Sequence, residues 1–463
     1  MDHYDCDGVN WSCYLKSTLI MVKQRVAVLG LGITGLASVN YLLKFGYQIT
    51  VFDTRQTPPG EDKLPAQVSL IKGELCGNTL ASFPLIISSP GIALSTPALQ
   101  SAIQAGSEII GDIELFARAL KKAPYQHAKC VTITGSNGKS TVTSLLGEMA
   151  KQAGVKVAVG GNIGIPALEL LSPDVDLYIL ELSSFQLETT HSLDANIATI
   201  LNLSEDHLDR YDSYQHYIDT KHNIYQQAKS TLFNSEDALT FVRDKDKQSV
   251  SFGFSDATYH INVDAQNCSW LAKGECLLLS VDELKISGKH NWLNALACLA
   301  LGEAVGLNIK PMLATLKTYV GLEHRCEFVA DWRGVRWIND SKATNIGATQ
   351  AALHGLSQTI IGDVHLILGG EGKGADFNEL TPFLSDVKGK TYCFGADAIK
   401  INKVVPQAQM VEDLVVAVNL LSQEAKKGDL VILSPACASL DMYPNFMARG
   451  DHFKKLVLAL SDK

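Results

Sequence analysis

Gly135-Ser136-Asn137-Gly138-Lys139-Ser140-Thr141 stands between an apolar run, Cys130-Val131-Thr132-Ile133-Thr134, and a helix-forming stretch from Val142 to Gln152. A strand that feeds a glycine turn and then a helix is the unit from which parallel α/β sheets are built. The turn lets backbone N–H groups close on phosphate oxygens. The helix start behind it adds partial positive charge. Lys139 supplies a point charge for the outer phosphates of a nucleoside triphosphate, and the Ser140 hydroxyl can hold Mg²⁺. The usual loop carries a further Gly separated by four residues from the Gly-Lys pair. Ile133 occupies that position here, so this is a shortened variant with Gly135 in the turn.

At 463 residues the chain is long enough for about three domains with ample core. Its net charge of −9 argues against a nucleic-acid scaffold, which needs a basic face. The ten cysteines are scattered, without a Cys-x-x-Cys pair or metal-ligand spacing, which predicts reduced thiols in a cytosolic protein. No run approaches the ~18 apolar residues that span a bilayer. Residues 1–20 do not read as a secretory signal, because Asp2 comes first and no apolar core follows. They are expected to be an extension, with 1–21 outside the folded domains and Met21 able to serve as the start. Deleting residues 1–20 is therefore expected to leave catalytic activity intact, and an activity assay showing a large loss would overturn this.

Three blocks follow: 22–111, 112–321 and 322–463. In the first, the strand Arg25–Leu29 leads into Gly30-Leu31-Gly32-Ile33-Thr34-Gly35, a helix to Phe45 and a second strand ending at Asp53. This is a βαβ unit with a Gly-x-Gly-x-x-Gly turn. The fingerprint specifies a diphosphate at a helix N-terminus beside a polar reader. NAD and a UDP-linked ligand satisfy it equally, and Asp53-Thr54-Arg55 suits a base edge. In the second block, the strands Leu177–Leu180 and Ile197–Leu201 end at Glu181 and near the Glu205-Asp206-His207 cluster, so a parallel sheet covered on both faces is expected. The third is a further α/β unit with strands at 335–338, 365–368 and 431–433.

Glu181, at a strand end, can bind Mg²⁺ between phosphates or be a solvated loop carboxylate. His207 is a ligand or a structural imidazole. Lys221, beside Tyr217, Ile218 and Ile224, reads on its own as a surface lysine. Asn339 to Asn345 gathers polar groups at a strand's carboxyl end, where α/β sites form. Gly369-Gly370-Glu371-Gly372-Lys373 is an anion-contacting turn or a flexible one. Cys437, in the loop 434–441, has no activating base in view.

Taken in order, Gly-Ser-Asn-Gly-Lys-Ser-Thr, Gly-Gly-Asn-Ile-Gly (160–164), Leu-Glu-Leu-Ser-Ser-Phe-Gln-Leu (180–187), Glu-Asp-His-Leu-Asp-Arg-Tyr (205–211), His324-Arg325, Asn-Asp-Ser-Lys-Ala-Thr-Asn (339–345) and Ser-Pro-Ala-Cys-Ala-Ser-Leu-Asp (434–441) resemble the bacterial Mur ligases. The resemblance runs from about residue 22 to the C-terminus. It implies three α/β domains: a Rossmann-like first domain for a UDP moiety, a central P-loop domain for ATP, and a Rossmann-like last domain for an amino acid. It also implies a cytoplasmic, monomeric enzyme of peptidoglycan synthesis. That enzyme would use ATP and two Mg²⁺ ions, or Mn²⁺ in their place, to join D-glutamate to UDP-N-acetylmuramoyl-L-alanine through an acyl phosphate.

Carried onto this chain, the resemblance places Gly135 to Thr141 on ATP, with Asn294, Arg325 and Asp340. It places Ser140, Thr141, Glu181, His207 and a carbamylated Lys221 on the metal ions. Lys139, Asn162, His207 and Lys221 carry the catalysis. Ile33, Thr34, Asp53, Thr54, Arg55 and Ser89 match the UDP site, and Asn162 and Ser183 join them on the same substrate. Lys342, Thr344, Lys373, Ser439 and Phe446 match the D-glutamate pocket. Gly138-Lys139-Ser140 stands where folylpolyglutamate synthetase would show Gly-Lys-Gly, and the Asp-Asn-Pro of diaminopimelate- or lysine-adding ligases is absent. Another Mur ligase, a nicotinamide-dependent oxidoreductase and a non-enzymatic nucleotide-dependent interaction protein are the alternatives.

Overall fold

The computed structural model describes residues 24–286, 288–357, 362–384 and 387–460; the expected extension at 1–21 lies outside them. The chain divides into two compact units, one ending at Ile110 and one beginning at Gly111.

The first unit holds β1 (Arg25–Leu29), β2 (Gln48–Asp53), β3 (Ser69–Lys72), β4 (Leu85–Ser88) and β5 (Glu108–Ile110), all parallel in the order β3-β2-β1-β4-β5. Order reverses beside β1, where the glycine turn lies, as expected for a doubly wound sheet. Val26 to Leu29 are fully buried, which explains their continuous apolar run. The helix Ile33–Lys44 starts directly behind the turn. Gly35 packs against that turn so closely that a Cβ there would stand 1.9 Å from the Gly30 carbonyl oxygen. Gly35→Ala is accordingly expected to destabilise the first unit by about 1–3 kcal/mol or more, read as a lower unfolding midpoint. An unchanged midpoint would contradict the close approach.

The second unit holds two sheets. The larger contains β6 (Lys129–Thr134), β7 (Val157–Gly161), β8 (Leu177–Glu181), β9 (Ala195–Ile200), β10 (Ala228–Asn234), β11 (Gln248–Phe252), β12 (Tyr259–Val263), β13 (Ser269–Lys273) and β14 (Cys276–Ser280). Its order is β14-β13-β12-β11-β10-β9-β6-β8-β7. The expected parallel sheet is observed for β6 to β12 only. Strands β12, β13 and β14 form an antiparallel meander at one edge, joined by short turns that leave no room for crossover helices. The helix Lys139–Gln152 buries Val142, Leu145, Leu146, Met149 and Ala150, a stripe at helical spacing. Each fully buried Leu or Met contributes roughly 1.5–3 kcal/mol.

The other sheet contains β15 (Glu327–Trp332), β16 (Val335–Asn339), β17 (Val364–Gly369), β18 (Thr391–Phe394), β19 (Ala408–Met410) and β20 (Leu430–Leu433), in the order β15-β16-β20-β17-β18-β19. Only β15 runs antiparallel. Every polar loop singled out in this part of the sequence follows a strand's carboxyl end. None of the described helices is long and apolar enough to cross a membrane.

Candidate active site

In the first unit, Asp53 ends β2 and is buried. Its Oδ2 accepts the Leu31 N–H at 2.7 Å, inside the glycine turn, and Arg55 Nη2–H at 2.6 Å. Its Oδ1 accepts Arg55 N–H and Nε–H at 2.9 and 2.8 Å. The Arg55 guanidinium outweighs burial and holds the carboxyl down at about 2. Asp53 thus organises the turn and orients Arg55, with both oxygens engaged. Ser89 donates its hydroxyl to the Gly30 carbonyl at 3.1 Å. Ile33, 74% exposed, and the exposed Thr54 line the rim of the same turn.

In the second unit, Gly138 takes φ +82°, a conformation that favours glycine, and a Cβ there would meet Asn294 Oδ1 at 2.7 Å. The loop is pinned from the side by the chain after β9. Asn137 N–H donates to Asn202 Oδ1 at 2.8 Å, and Ser136 Oγ donates to the Ser204 carbonyl at 2.9 Å. Lys139 folds back over the loop, its Nζ donating to the carbonyls of Gly135 and Ser136 at 2.7 and 2.9 Å.

Around this loop stand the expected partners. Glu181 ends β8 and is 3% exposed, which excludes the solvated alternative. Its Oε1 accepts Asn162 Nδ2–H at 2.9 Å, while the buried Oε2 has no hydrogen-bond partner. Lys221 is 2% exposed, not on the surface. Its Nζ donates to Thr134 Oγ1 and the Gly135 carbonyl, both at 3.2 Å, and lies 4.9 Å from the Tyr217 ring centroid. Burial, then the neighbouring Lys139, push its pKa well below the usual lysine range. Tyr217, Ile218, Lys221, Ile224 and Tyr225 form one buried stripe of the helix Tyr214–Gln226.

His207 has φ +56°, and its ring packs 4.7 Å from the Phe185 ring at 60°. Burial lowers its pKa to about 4; Asp206 opposes the shift, and Lys373, Lys139 and Lys221 add to it. Ser183 caps the helix Ser184–Leu187 in a reciprocal box with Gln186.

The β15–β20 sheet meets this loop directly. Arg325 Nη2–H donates to Ser140 Oγ at 2.9 Å. Lys373 Nζ binds Asp206 Oδ1 at 2.5 Å, and Asn345 Nδ2 donates to Asp206 Oδ2 at 3.2 Å. Asp206 stood in the quoted cluster without a role; the structure makes it the partner of Lys373. That contact also decides between the two readings of the Gly369–Lys373 turn against free flexibility. Asp340 follows β16 and Lys342 two residues later lies with Nζ 3.9 Å from the Phe446 ring centroid. Burial, then Arg325, lower the Lys342 pKa to about 8. Thr344 is half-buried and Ser439 buried, each in a loop that follows a strand's carboxyl end. Cys437 is buried, and burial pushes its thiol up to about 12, which removes it as a nucleophile. A cavity of ≈ 580 Å³ opens against the loop, lined among others by Gly138, Thr141, Asn294, Arg325 and Asp340.

A divalent cation fits this chemistry. Glu181 Oε2 is an orphaned buried acceptor, and the Ser140 and Thr141 hydroxyls adjoin the loop. Among the described residues no three His, Cys, Asp or Glu side chains gather into one metal cluster. Hydroxyl and carboxylate oxygens of this kind suit a hard cation.

Residues 24–111 match the Mur ligase MurD-like N-terminal domain, 133–302 the Mur ligase middle domain, and 324–437 the Mur ligase glutamate ligase domain. The chain is 52% identical, over 94% of its length and 98% of the relative's, to UDP-N-acetylmuramoylalanine--D-glutamate ligase of Salmonella typhimurium (strain LT2). It is 51% identical, over the same shares, to the Escherichia coli (strain K12) protein of that name. Among solved structures it resembles UDP-N-acetylmuramate-alanine ligase from Thermotoga maritima, with a TM-score of 0.60 and 18% identity over 95% of this chain and 100% of that one. It likewise resembles a pseudomurein peptide ligase type C from Methanothermus fervidus, with a TM-score of 0.59 and 17% identity over the same shares. These two show the fold; the full-length identity and the three matched domains show the family. The chain is a Mur ligase, of the UDP-N-acetylmuramoylalanine--D-glutamate ligase branch.

Proposed function

We propose that this protein joins D-glutamate to UDP-N-acetylmuramoyl-L-alanine at the expense of ATP, in peptidoglycan precursor synthesis, with 22–111, 112–321 and 322–463 as its three domains. The observation that carries the reading is that the last sheet's segments meet the triphosphate loop and the chain after β9, through Arg325–Ser140 just before β15 and Lys373–Asp206 just after β17. A switch or a motor has no need of an amino-acid pocket in contact with its phosphate loop.

A carboxylate is a poor acylating agent because its leaving group is bad. Transfer of the γ-phosphoryl group to the acceptor's terminal carboxylate gives an acyl phosphate and ADP. The amine of D-glutamate then attacks the acyl carbon, and the tetrahedral intermediate collapses to the amide with loss of phosphate and of the amine proton. The protein's task is positioning and charge neutralisation. Lys139 and the loop N–H groups hold the phosphates. Asn294, Arg325 and Asp340 hold the nucleotide. Asn162, His207 and Ser183 meet the acceptor, whose uridine diphosphate end is read by Ile33, Thr34, Asp53, Thr54, Arg55 and Ser89. Lys342, with Lys373, Thr344, Ser439 and Phe446, meets D-glutamate.

Ser140, Thr141, Glu181, His207 and Lys221 would hold Mg²⁺, which when bound neutralises charge on the phosphates. Lys221 suits that role once carbamylated. Burial favours the neutral amine, and a neutral amine adds CO₂ to give a carbamate anion and a proton. ADP release from ATP and UDP-N-acetylmuramoyl-L-alanine, with and without D-glutamate, tests the proposal. Release that depends on D-glutamate supports it; release driven only by another amino acid, or no release, refutes it.

A further inference from the structure

Asp340 and Ser434 each follow the last residue of a strand, β16 and β20, and those strands pair in parallel with Asn339 opposite Leu433. The two side chains therefore lie abreast, locked by Asp340 N–H donating to the Leu433 carbonyl at 2.8 Å. Ser434 is fully buried, and Asp340 is 6% exposed on the wall of the cavity. The Asp340 carboxylate accepts the Ser434 hydroxyl at 2.7 Å on Oδ2 and the Cys326 N–H at 3.1 Å on Oδ1. Ser434 Oγ can also donate to Thr349 Oγ1, 3.2 Å away, whose own proton goes to the Ser434 carbonyl at 3.1 Å. Of the two acceptors the carboxylate is nearer, at 2.7 Å, and charged, so it takes the single Ser434 proton.

We propose that Ser434 is a positioning residue that keeps Asp340 ionised and aimed at the nucleotide cavity. The proposal rests on the reading of Asp340 as a nucleotide contact. An ionised carboxylate accepts a ribose hydroxyl, and the protonated form loses part of that capacity. Burial raises Asp340 to about 6, against the pull of Ser434, Cys326 N–H and Arg325. Arg325, the Cys326 thiol and the more distant Arg449 are the other titratable groups facing it. Removing a hydrogen bond to a charged group raises the carboxyl by about one pH unit.

The test is calorimetric titration of the full chain with ADP at fixed Mg²⁺, from pH 5.5 to 8.5, for wild type, S434A and D340N. The ratio of S434A to wild-type Kd cancels the titration of the phosphate itself. The expected ratio is within about twofold at pH 8.5 and approaches about tenfold at pH 5.5. S434C, with a weaker thiol donor, falls between and replaces S434A should that variant not fold. A ratio independent of pH overturns the positioning role while leaving the nucleotide contact standing. Unchanged ADP affinity in D340N overturns the nucleotide contact itself, and the proposal with it.

Discussion

Lys139→Ala is expected to lower kcat/KM for amide synthesis by about a thousandfold, the scale on which removal of one preorganised charge from a transition state is felt. Lys139 is not a free surface cation. Its Nζ is drawn onto the Gly135 and Ser136 carbonyls, so its position is set before nucleotide arrives. Burial lowers its pKa, while Glu181 and Asp206 oppose that shift. A charge in such a site stabilises the migrating phosphoryl group without having to reorganise solvent. Lys139→Arg is not expected to restore activity, because a planar fork does not fit where one ammonium sits under two carbonyls. Steady-state ADP release checks this, and a loss smaller than about tenfold would contradict it.

Lys221→Ala is expected to cost about a thousandfold as well, by a different route. Wild-type Lys221 is buried beside Lys139, so a second ammonium at that point would repel the first. A carbamate reverses the sign of the charge there and supplies oxygens that a hard cation accepts. Short carboxylates such as acetate or formate are therefore expected to restore part of the activity of Lys221→Ala, since they deliver the missing oxygens to the vacated space. Full activity without added carboxylate would refute the role.

Much of this was legible in the sequence, for definite reasons. Runs of buried strand residues such as Val26–Leu29 and Leu177–Glu181 announce themselves because both faces of a parallel sheet are covered, and β1 and β8 lie where they were expected. The strand expected at Ile197–Leu201 is observed at Ala195–Ile200, shifted because Ala195 and Asn196 are not apolar enough to mark its start. The meander β12 to β14 departs from the parallel expectation: its strands are five residues each and partly exposed, and runs as short as Trp270–Ala272 and Cys276–Leu279 do not separate a strand from a helix segment.

Lys221 shows a subtler limit. It lies on the Tyr217–Ile224 stripe, so helical spacing alone pointed inward, but the cost of burying an ammonium made a surface position the safer reading. What offsets that cost is Thr134, the Gly135 carbonyl and a depressed pKa, all contributed by distant segments. Asp53 was read as a ligand contact from its spacing behind the glycine turn; that Arg55, two residues on, already holds both its oxygens is a matter of rotamer, invisible in the chain. The pairing of Asp206 with Lys373, and of Asp340 with Ser434, depends on tertiary register between loops far apart in sequence, and no local pattern encodes it.

An acyl-phosphate route sends the phosphoryl group to a substrate carboxylate and not to water. UDP-N-acetylmuramoyl-L-alanine carrying ¹⁸O in its terminal carboxylate, turned over with ATP and D-glutamate, tests it directly by mass spectrometry of the phosphate released. Passage through an acyl phosphate predicts phosphate bearing one ¹⁸O per amide formed. Amide formation with unlabelled phosphate would exclude that route.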